Sequence, residues 1–262
     1  MFFWFKRKKI VLDCFTDNNS AYMHSKIDHA SKFLPPWWKS LPKTMSLDTA
    51  FLDNTPHKVR TMKSCKGFTD LYKNSFIMPF WENLLIESFE GNCQWFSSDT
   101  KNLIGYHHTD LFKGFIEDSK IKHLKIFSPW YLKTDKLVNF YFSDPLWNRP
   151  NITDYAVLPG VLNFKYNHGT HVNMVINVNN NYSKLHINIG DPLVCLIPMT
   201  EDDIEIRHHL VTSKELMAII PANPTFIDIR ETKYNAWKKF IDRKEVSDTH
   251  SKCPFIGKNK NE

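Results

Sequence analysis

The chain has 262 residues, of which 42% are hydrophobic and 24% are charged, so its composition is that of an ordinary globular protein and excludes a disordered chain. A net charge of +6 is too small to indicate nucleic-acid binding, and no apolar run reaches the ~18 residues of a membrane span. The five cysteines are far apart, which excludes a CxxC metal knuckle or redox pair.

The first part of the chain predicts one strand, two short helices and further strands. Five apolar residues precede the basic run Lys6–Lys9, which inverts the order of a signal peptide, so secretion by that route is not expected. Residues 10–15 predict the first strand. Helices are predicted over 25–33 and 64–75, the second with apolar side chains at i, i+3 and i+4 from Phe68.

The central part predicts strands that are bounded by Pro, Asn, Asp or Gly. These runs cover residues 76–78, 84–89, 121–127, 137–142 and 156–166. Prolines stand next to aromatic residues at four places, where they indicate loops or strand edges. Frequent prolines at loops and strand edges favour a β-rich domain.

The next segment shows the clearest alternation in the sequence. Val172, Met174, Ile176 and Val178 share one face of a predicted strand, while His171, Asn173 and Asn177 share the other. After a turn-rich tract, Leu185, Ile187 and Ile189 alternate with polar residues, which predicts a strand that forms a hairpin with the strand over 172–178. Residues 193–197 are apolar throughout, as in a strand that is buried on both faces.

We therefore predict a mainly β protein, a sandwich or a distorted barrel, with a few short helices and a carboxy-terminal amphipathic helix over about 230–245. Residues 1–245 are predicted to form a single β-rich domain and residues 246–262 a polar carboxy-terminal tail. The acidic tract at 201–205, before His208 and His209, indicates a hydrated loop.

Several segments together resemble an uncharacterised protein family of tailed bacteriophages, notably marine ones. They are Ala30–Trp38, Lys63–Asp70, Pro129–Thr134, Asp144–Trp147, Leu158–Asn163 and Gly190–Pro198. The resemblance covers about residues 30–200. It implies a viral context but no particular reaction, and places the protein in the host cytoplasm during infection or in the virion.

A second, local resemblance joins Pro159–Tyr166 and Gly190–Leu193 to the strand-turn-strand signature of trimeric dUTPases. In that family an Asp in the turn activates water, and here Asn163 stands in its place. An amide cannot act as the general base. The glycine-rich motif that closes over the triphosphate in that family is also absent. The resemblance therefore implies at most a degenerate, nucleotide-binding β-fold.

One motif could hold a divalent metal. His108 and Asp110 have the His-x-Asp spacing that puts an imidazole and a carboxylate on one side of a strand, similar to 2-oxoglutarate-dependent Fe(II) oxygenases. His168, His171 and His186 are candidates for the third ligand, and we select His171. The residues that could grip the co-substrate, Lys184 and Arg207, are not at the usual offset from a distal histidine.

The aromatic content favours a different class of function. Tryptophans next to prolines could form flat platforms for a carbohydrate or a protein partner, with asparagines of the exposed sheet face supplying hydrogen bonds. The candidates are Trp37, Trp38, Trp130, Trp147, Asn163, Asn173 and Asn177. The leading hypothesis is a non-catalytic binding or assembly module, because each catalytic pattern lacks an essential part. The metal oxygenase and the dUTPase-like nucleotide binder remain the alternatives.

Overall fold

The computed structural model describes residues 9–47, 57–98, 103–107, 114, 121–149, 155–166, 168–178 and 182–219. Within these ranges the protein is mainly β, with several sheets and a few short helices, and none of the described sheets closes into a barrel. The prediction of a mainly β fold is confirmed, and the arrangement is sandwich-like. The chain divides into two units, Met1–Leu216 and Met217–Glu262, and all of these sheets belong to the first.

The described strands and helices are as follows in chain order. The strands are β1 (Lys9–Thr16), β2 (Asp28–His29), β3 (Thr44–Leu47), β4 (His57–Arg60), β5 (Phe76–Pro79), β6 (Leu84–Phe89), β7 (Asn92–Ser97), β8 (Ile104–Tyr106), β9 (Ile121–Ile126), β10 (Tyr131–Thr134), β11 (Asn139–Ser143), β12 (Tyr155–Val157), β13 (Gly160–Asn163), β14 (Val172–Asn177), β15 (Ser183–Ile187), β16 (Pro192–Pro198) and β17 (Asp203–Leu210). The α-helices are α1 (Asn19–His24), α2 (Pro36–Ser40), α3 (Lys66–Asn74) and α4 (Ser213–Ile219). Short 3-10 helices cover Ala30–Phe33, Met62–Ser64 and Leu146–Asn148.

The largest sheet has five strands in the order β13-β11-β16-β5-β2, and all of its pairs are antiparallel. A four-stranded sheet has the order β12-β14-β9-β8, and two three-stranded sheets have the orders β10-β1-β17 and β15-β6-β7. β3 and β4 form a separate pair. Among the described pairs, β1 with β17 is parallel.

Both faces of the five-stranded sheet are covered. In β5, Phe76 and Met78 belong to the main core, whereas Ile77 belongs to a second apolar cluster on the opposite face. β16 repeats this alternation, with Leu196 in the main core and Cys195 in the second cluster. Helix α3 and its neighbours cover that second face. Burial on both faces explains the uninterrupted apolar run of β16 and confirms its prediction.

The hairpin of β6 and β7 is closed by a two-residue turn. Glu90 has a φ of 47° and Gly91 a φ of 75°, the backbone conformation that twists in the same sense as the two strands. Phe89 is paired with Asn92 directly beside the turn. The strand predicted over 84–89 has these same bounds.

The helix predicted over 64–75 is confirmed as α3, which begins at Lys66. The helix predicted over 25–33 is wrong, because Asp28 and His29 pair with β5 and a 3-10 helix follows them. The α-helix of this region lies earlier, as α1, where the Asn18 side chain accepts a hydrogen bond from the backbone N–H of Ala21.

The alternation over 172–178 is confirmed, since the four apolar residues are at most 4% exposed and Asn173 and Asn177 face solvent. The predicted hairpin is wrong, because β14 pairs with β9 and β12, whereas β15 pairs with β6. Ile189 lies beyond the end of β15 and is 36% exposed, so it does not join the core.

Two further predictions need correction. The run over 156–166 is two strands of different sheets, β12 and β13, because Pro159 lies between them and lacks the N–H that a continuous ladder needs. The acidic tract near residue 203 is not a loop but the start of β17, in which Ile204 and Ile206 pack against the core while Glu205 and Arg207 pair with each other.

The predicted carboxy-terminal helix, the polar tail and the domain boundary after residue 245 lie outside the described residues. In the part of the chain that the structure describes, no helix has the length and apolar character needed to cross a membrane.

Candidate functional site

Helix α2 holds two neighbouring tryptophans on the outer face of the five-stranded sheet. Pro36 is its first residue, a position where the missing N–H costs no hydrogen bond and the fixed φ favours the helix. The N–H groups of Trp38 and Lys39 donate to the carbonyl of Pro35, both at 3.1 Å. The proline and these hydrogen bonds therefore restrict the backbone that carries Trp37 and Trp38.

Helix α3 supplies the aromatic residues beneath them. Phe68 and Tyr72 are four residues apart, so they lie on the same helix face, and their rings stack with centroids 4.5 Å apart. The ring of Trp38 stacks on the ring of Phe68 at 5.6 Å and 16°. Phe68 and Tyr72 are each 4% exposed. Together they form a buried base for the exposed rings above.

Trp147 reaches the same place from a distant part of the chain. It lies in the 3-10 helix that follows Pro145, and its backbone carbonyl accepts a 2.9 Å hydrogen bond from Trp37 Nε1. The ring centroids of the two indoles are 5.9 Å apart, and both indoles contact the ring of Phe68. Trp37 is 39% exposed and Trp147 is 46% exposed. We call Trp37, Trp38, Phe68, Tyr72 and Trp147 the aromatic surface.

Hydrogen bonds lock this surface to its neighbours. The Tyr72 hydroxyl donates to Asn148 Oδ1 at 2.5 Å, and Asn148 Nδ2 donates to the carbonyl of Phe33. Burial raises the pKa of Tyr72 above its usual value, so the phenol stays protonated and keeps donating. Lys63 Nζ donates to the carbonyls of Trp38 and Lys39 and lies 4.2 Å from the Trp38 ring centroid. The exposed rings are thus held on a rigid support.

A recess of about 290 Å³, including space open to solvent, adjoins the aromatic surface. Apolar groups make up much of its wall, namely those of Ala30, Leu71, Ile77, Pro145 and Trp147 together with the Cys195 side chain. Its polar groups are already engaged: Ser75 Oγ donates to the carbonyl of Leu71, and Asn148 bonds to Tyr72. The recess therefore offers an apolar wall beside two exposed indoles.

A buried ion pair adjoins the recess, and one of its members, Asp144, lines the wall. The Asp144 and Arg149 side chains are 12% and 6% exposed and form a salt bridge. Asp144 Oδ2 accepts a 2.6 Å hydrogen bond from the N–H of Val157, and the guanidinium lies 4.1 Å from the Tyr155 ring centroid. Burial raises the pKa of Asp144, although the hydrogen bond from Val157 and the charge of Arg149 both oppose this shift. The carboxylate is thus an anchor of the loop that carries Trp147.

Three of the four described cysteines are poorly suited to nucleophilic catalysis. Burial raises the pKa of the Cys14, Cys93 and Cys195 thiols, which disfavours the reactive thiolate. Cys195 lies at the recess but packs in the second apolar cluster. Among the described residues, no group of three or more His, Cys, Asp or Glu side chains could hold a metal ion.

The predicted metal ligands are only partly described. His108 and Asp110 lie outside the described residues. His171 is half-buried rather than facing solvent. Its ring packs against the ring of Phe127 in a T-shaped arrangement, with the two centroids 5.3 Å apart. Burial lowers its pKa to about 4, with a smaller contribution from the charge of Lys125. The ring is therefore neutral over most of the physiological range.

The remaining predicted binding residues lie apart from the aromatic surface. Trp130 is 0% exposed and belongs to the main core, so it presents no ring to a surface ligand. Asn163 stabilises a turn, since its Oδ1 accepts from the N–H of Lys165 and its Nδ2 donates to Asn139. Asn173 is exposed and hydrogen-bonds to His107 at 3.1 Å, and Asn177 is exposed on the same strand.

Sequence reasoning missed the supporting residues of the site. Phe68 and Tyr72 were recognised as one helix face, but nothing in the sequence joins that face to Trp147. Asp144 and Arg149 flank Trp147 at a spacing of five residues, and such a charged pair around a Pro-aromatic turn was a usable signal of an anchored loop.

No family model, no curated protein and no solved structure matches this chain.

Proposed function

We propose that the protein is a non-catalytic binding module whose partner docks on the aromatic surface. The observation that carries this proposal is the meeting of Trp37 and Trp147, which are 110 residues apart in the chain yet share a hydrogen bond and a half-exposed position. Tryptophans of this kind dominate the energy of many protein interfaces because they bury a large area at low entropic cost.

The rigid support favours binding over a purely structural role. Trp38, Phe68 and Tyr72 form a continuous stack, and Asn148 and Lys63 fix its edges by hydrogen bonds. A preorganised surface loses little conformational entropy when a partner docks. An exposed apolar neighbour, Leu146, which is 46% exposed, extends the contact area beside Trp147.

The described chemistry favours binding over catalysis. The three buried thiols are held protonated, Asp144 is paired with Arg149, and Asn163 is committed to a turn. The oxygenase alternative stays a prediction of the sequence, because His108 and Asp110 lie outside the described residues. The nucleotide-binding alternative also stays a prediction. The phage resemblance would place such a module in the infected cell or in the virion.

The test is a comparison of ligand selection by three full-length proteins. The wild type, Trp37→Ala/Trp147→Ala and the matched control Phe96→Ala are each probed with a random library of displayed peptides and with a glycan array. Phe96 is 52% exposed on β7 and lies outside the aromatic surface. We expect binding to the wild type and the control that is lost in the double variant. Absence of any ligand that depends on Trp37 and Trp147 would overturn the proposal.

A further inference from the structure

From the charges and the recess around the aromatic surface we infer the chemistry of its partner: an acidic protein segment that packs one apolar side chain against the wall of the recess. This inference rests on the proposed function and adds the class of ligand. Two independent features carry it, the charge of the elements that hold the aromatic residues and the apolar character of the recess.

The segments that build the aromatic surface are strongly basic. Residues 30–47 and 57–75 contain eight Lys and Arg residues and one acidic residue, Asp70. Lys32 and Lys66 form ion pairs with Asp28 and Asp70, so the excess positive charge comes from the other six. All eight are exposed except Lys63, which is half-buried on the Trp38 ring. Lys39 follows Trp38 in α2, and Lys73 follows Tyr72 in α3. Since the whole chain has a net charge of +6, this part concentrates its positive charge and would attract an acidic partner.

The recess selects an apolar group. Its wall is formed by Leu71, Ile77, Pro145 and neighbouring apolar atoms, while its polar atoms already have protein partners. The recess is small and partly open, since its volume of about 290 Å³ includes space that belongs to the solvent. The end of one apolar side chain can pack against this wall, whereas the hydroxyls of a sugar would find few polar groups left to bond.

Other occupants are less favoured by the same features. Residues 220–262 of this chain contain nine basic and six acidic residues, so their charge gives no attraction to a basic surface. A second copy of the chain carries the same net charge of +6. Single-stranded nucleic acid also binds stacking rings with lysines nearby, but it has no apolar side chain to pack against the wall of the recess.

The experiment reads the sequences of the peptides that the full-length wild type selects from the displayed library. We expect enrichment of Asp and Glu around one Trp, Phe, Leu or Met, and weaker binding as the salt concentration rises. The charge variant Lys39→Glu/Lys73→Glu should weaken binding of a selected peptide by about tenfold or more at low salt. The matched control Lys136→Glu/Lys214→Glu, with the same charge change outside the basic segments, should leave binding within about twofold.

The outcomes separate this inference from the proposed function. Selected peptides without acidic enrichment that still require Trp37 and Trp147 would overturn the inference and leave the binding module in place. Tighter binding of a labelled oligothymidylate than of any selected peptide, lost in Lys39→Glu/Lys73→Glu, would also overturn it. Self-association of the wild type that is lost in Trp37→Ala/Trp147→Ala would point to a second copy and overturn it as well. If the double alanine variant is unfolded by circular dichroism, Trp147→Leu replaces it, since leucine keeps an apolar contact with Phe68 while losing the indole.

Discussion

The two faces of the five-stranded sheet use aromatic residues in opposite ways. On the inner face Phe140 is 0% exposed and packs against Phe164 at 5.0 Å between ring centroids. On the outer face the short helices leave Trp37 and Trp147 39% and 46% exposed. The inner rings contribute stability by leaving water completely, whereas the outer rings keep area available for a partner.

The comparison shows that the neighbouring proline does not determine the fate of a tryptophan. Trp130 and Trp37 both follow a proline directly, yet Trp130 is 0% exposed and Trp37 is 39% exposed. The two residues differ because the loop before Trp130 places its ring in the main core, whereas Trp37 lies in helix α2 beside the second apolar cluster. Changes on the inner face should therefore alter stability most, and changes on the outer face should alter binding most.

The largest effect on stability is expected from Phe140→Ala. Loss of this fully buried ring should lower the free energy of unfolding by about 3–5 kcal/mol, because it removes apolar burial and leaves a cavity. Denaturant titration measures the change, and the exposed Phe96→Ala should stay within about 0.5 kcal/mol of the wild type. A loss below about 1 kcal/mol for Phe140→Ala would contradict the assignment of this face as the main core.

The ion pair at the recess should come next. Arg149→Met should cost about 3 kcal/mol near neutral pH, because the carboxylate of Asp144 is left buried without its positively charged partner. Since burial already raises the pKa of Asp144, acidification protonates it readily and the cost should shrink as the pH falls. Unfolding of Arg149→Met and of Arg149→Met/Asp144→Leu at several pH values tests this. A loss of stability that does not depend on pH would contradict this role of the ion pair. So would a double variant that is no more stable than Arg149→Met.

The pH dependence of stability should involve the histidine beside Phe127. The pKa of His171 is lowered from 6.5 to about 4, mainly by burial, so between these values the unfolded chain binds more protons than the folded chain. The free energy of unfolding should therefore fall as the pH drops from about 6.5 to about 4, by about 2 kcal/mol when partial exposure is allowed for. His171→Gln should remove this part of the decline. The exposed His186→Gln is the control, and an equal decline in all three proteins would refute the assignment.

The smallest effect on stability is expected at the outer face. Trp37→Ala and Trp147→Ala should each cost about 1 kcal/mol, because roughly two-fifths of each residue is already in water and the rings of Phe68 and Tyr72 keep their own stack. Thermal and denaturant unfolding of the single variants gives these values. Losses above about 3 kcal/mol would make the two indoles structural members of the fold and would remove the contrast between the faces.

The sequence by itself determined the elements whose signals are local. The run 84–89 is β6, the helical spacing from Phe68 lies in α3, and the alternation after His171 is β14 with its apolar face inside. One-sided burial gives a strand a period of two and a helix a period near 3.6, and these periods are readable without knowing the partner. The mainly β character follows from such local patterns.

Only the tertiary structure decided which elements meet. The predicted partner of β14, the later strand β15, pairs instead with β6, which lies about a hundred residues earlier in the chain. The charged residues of β17 hid a strand because they lie on the side of β1's sheet that faces away from the core. The aromatic surface depends in the same way on the contact of Trp37 with Trp147. Pairing between distant segments is set by the packing of the whole core, and the local pattern of a single segment carries no information about it.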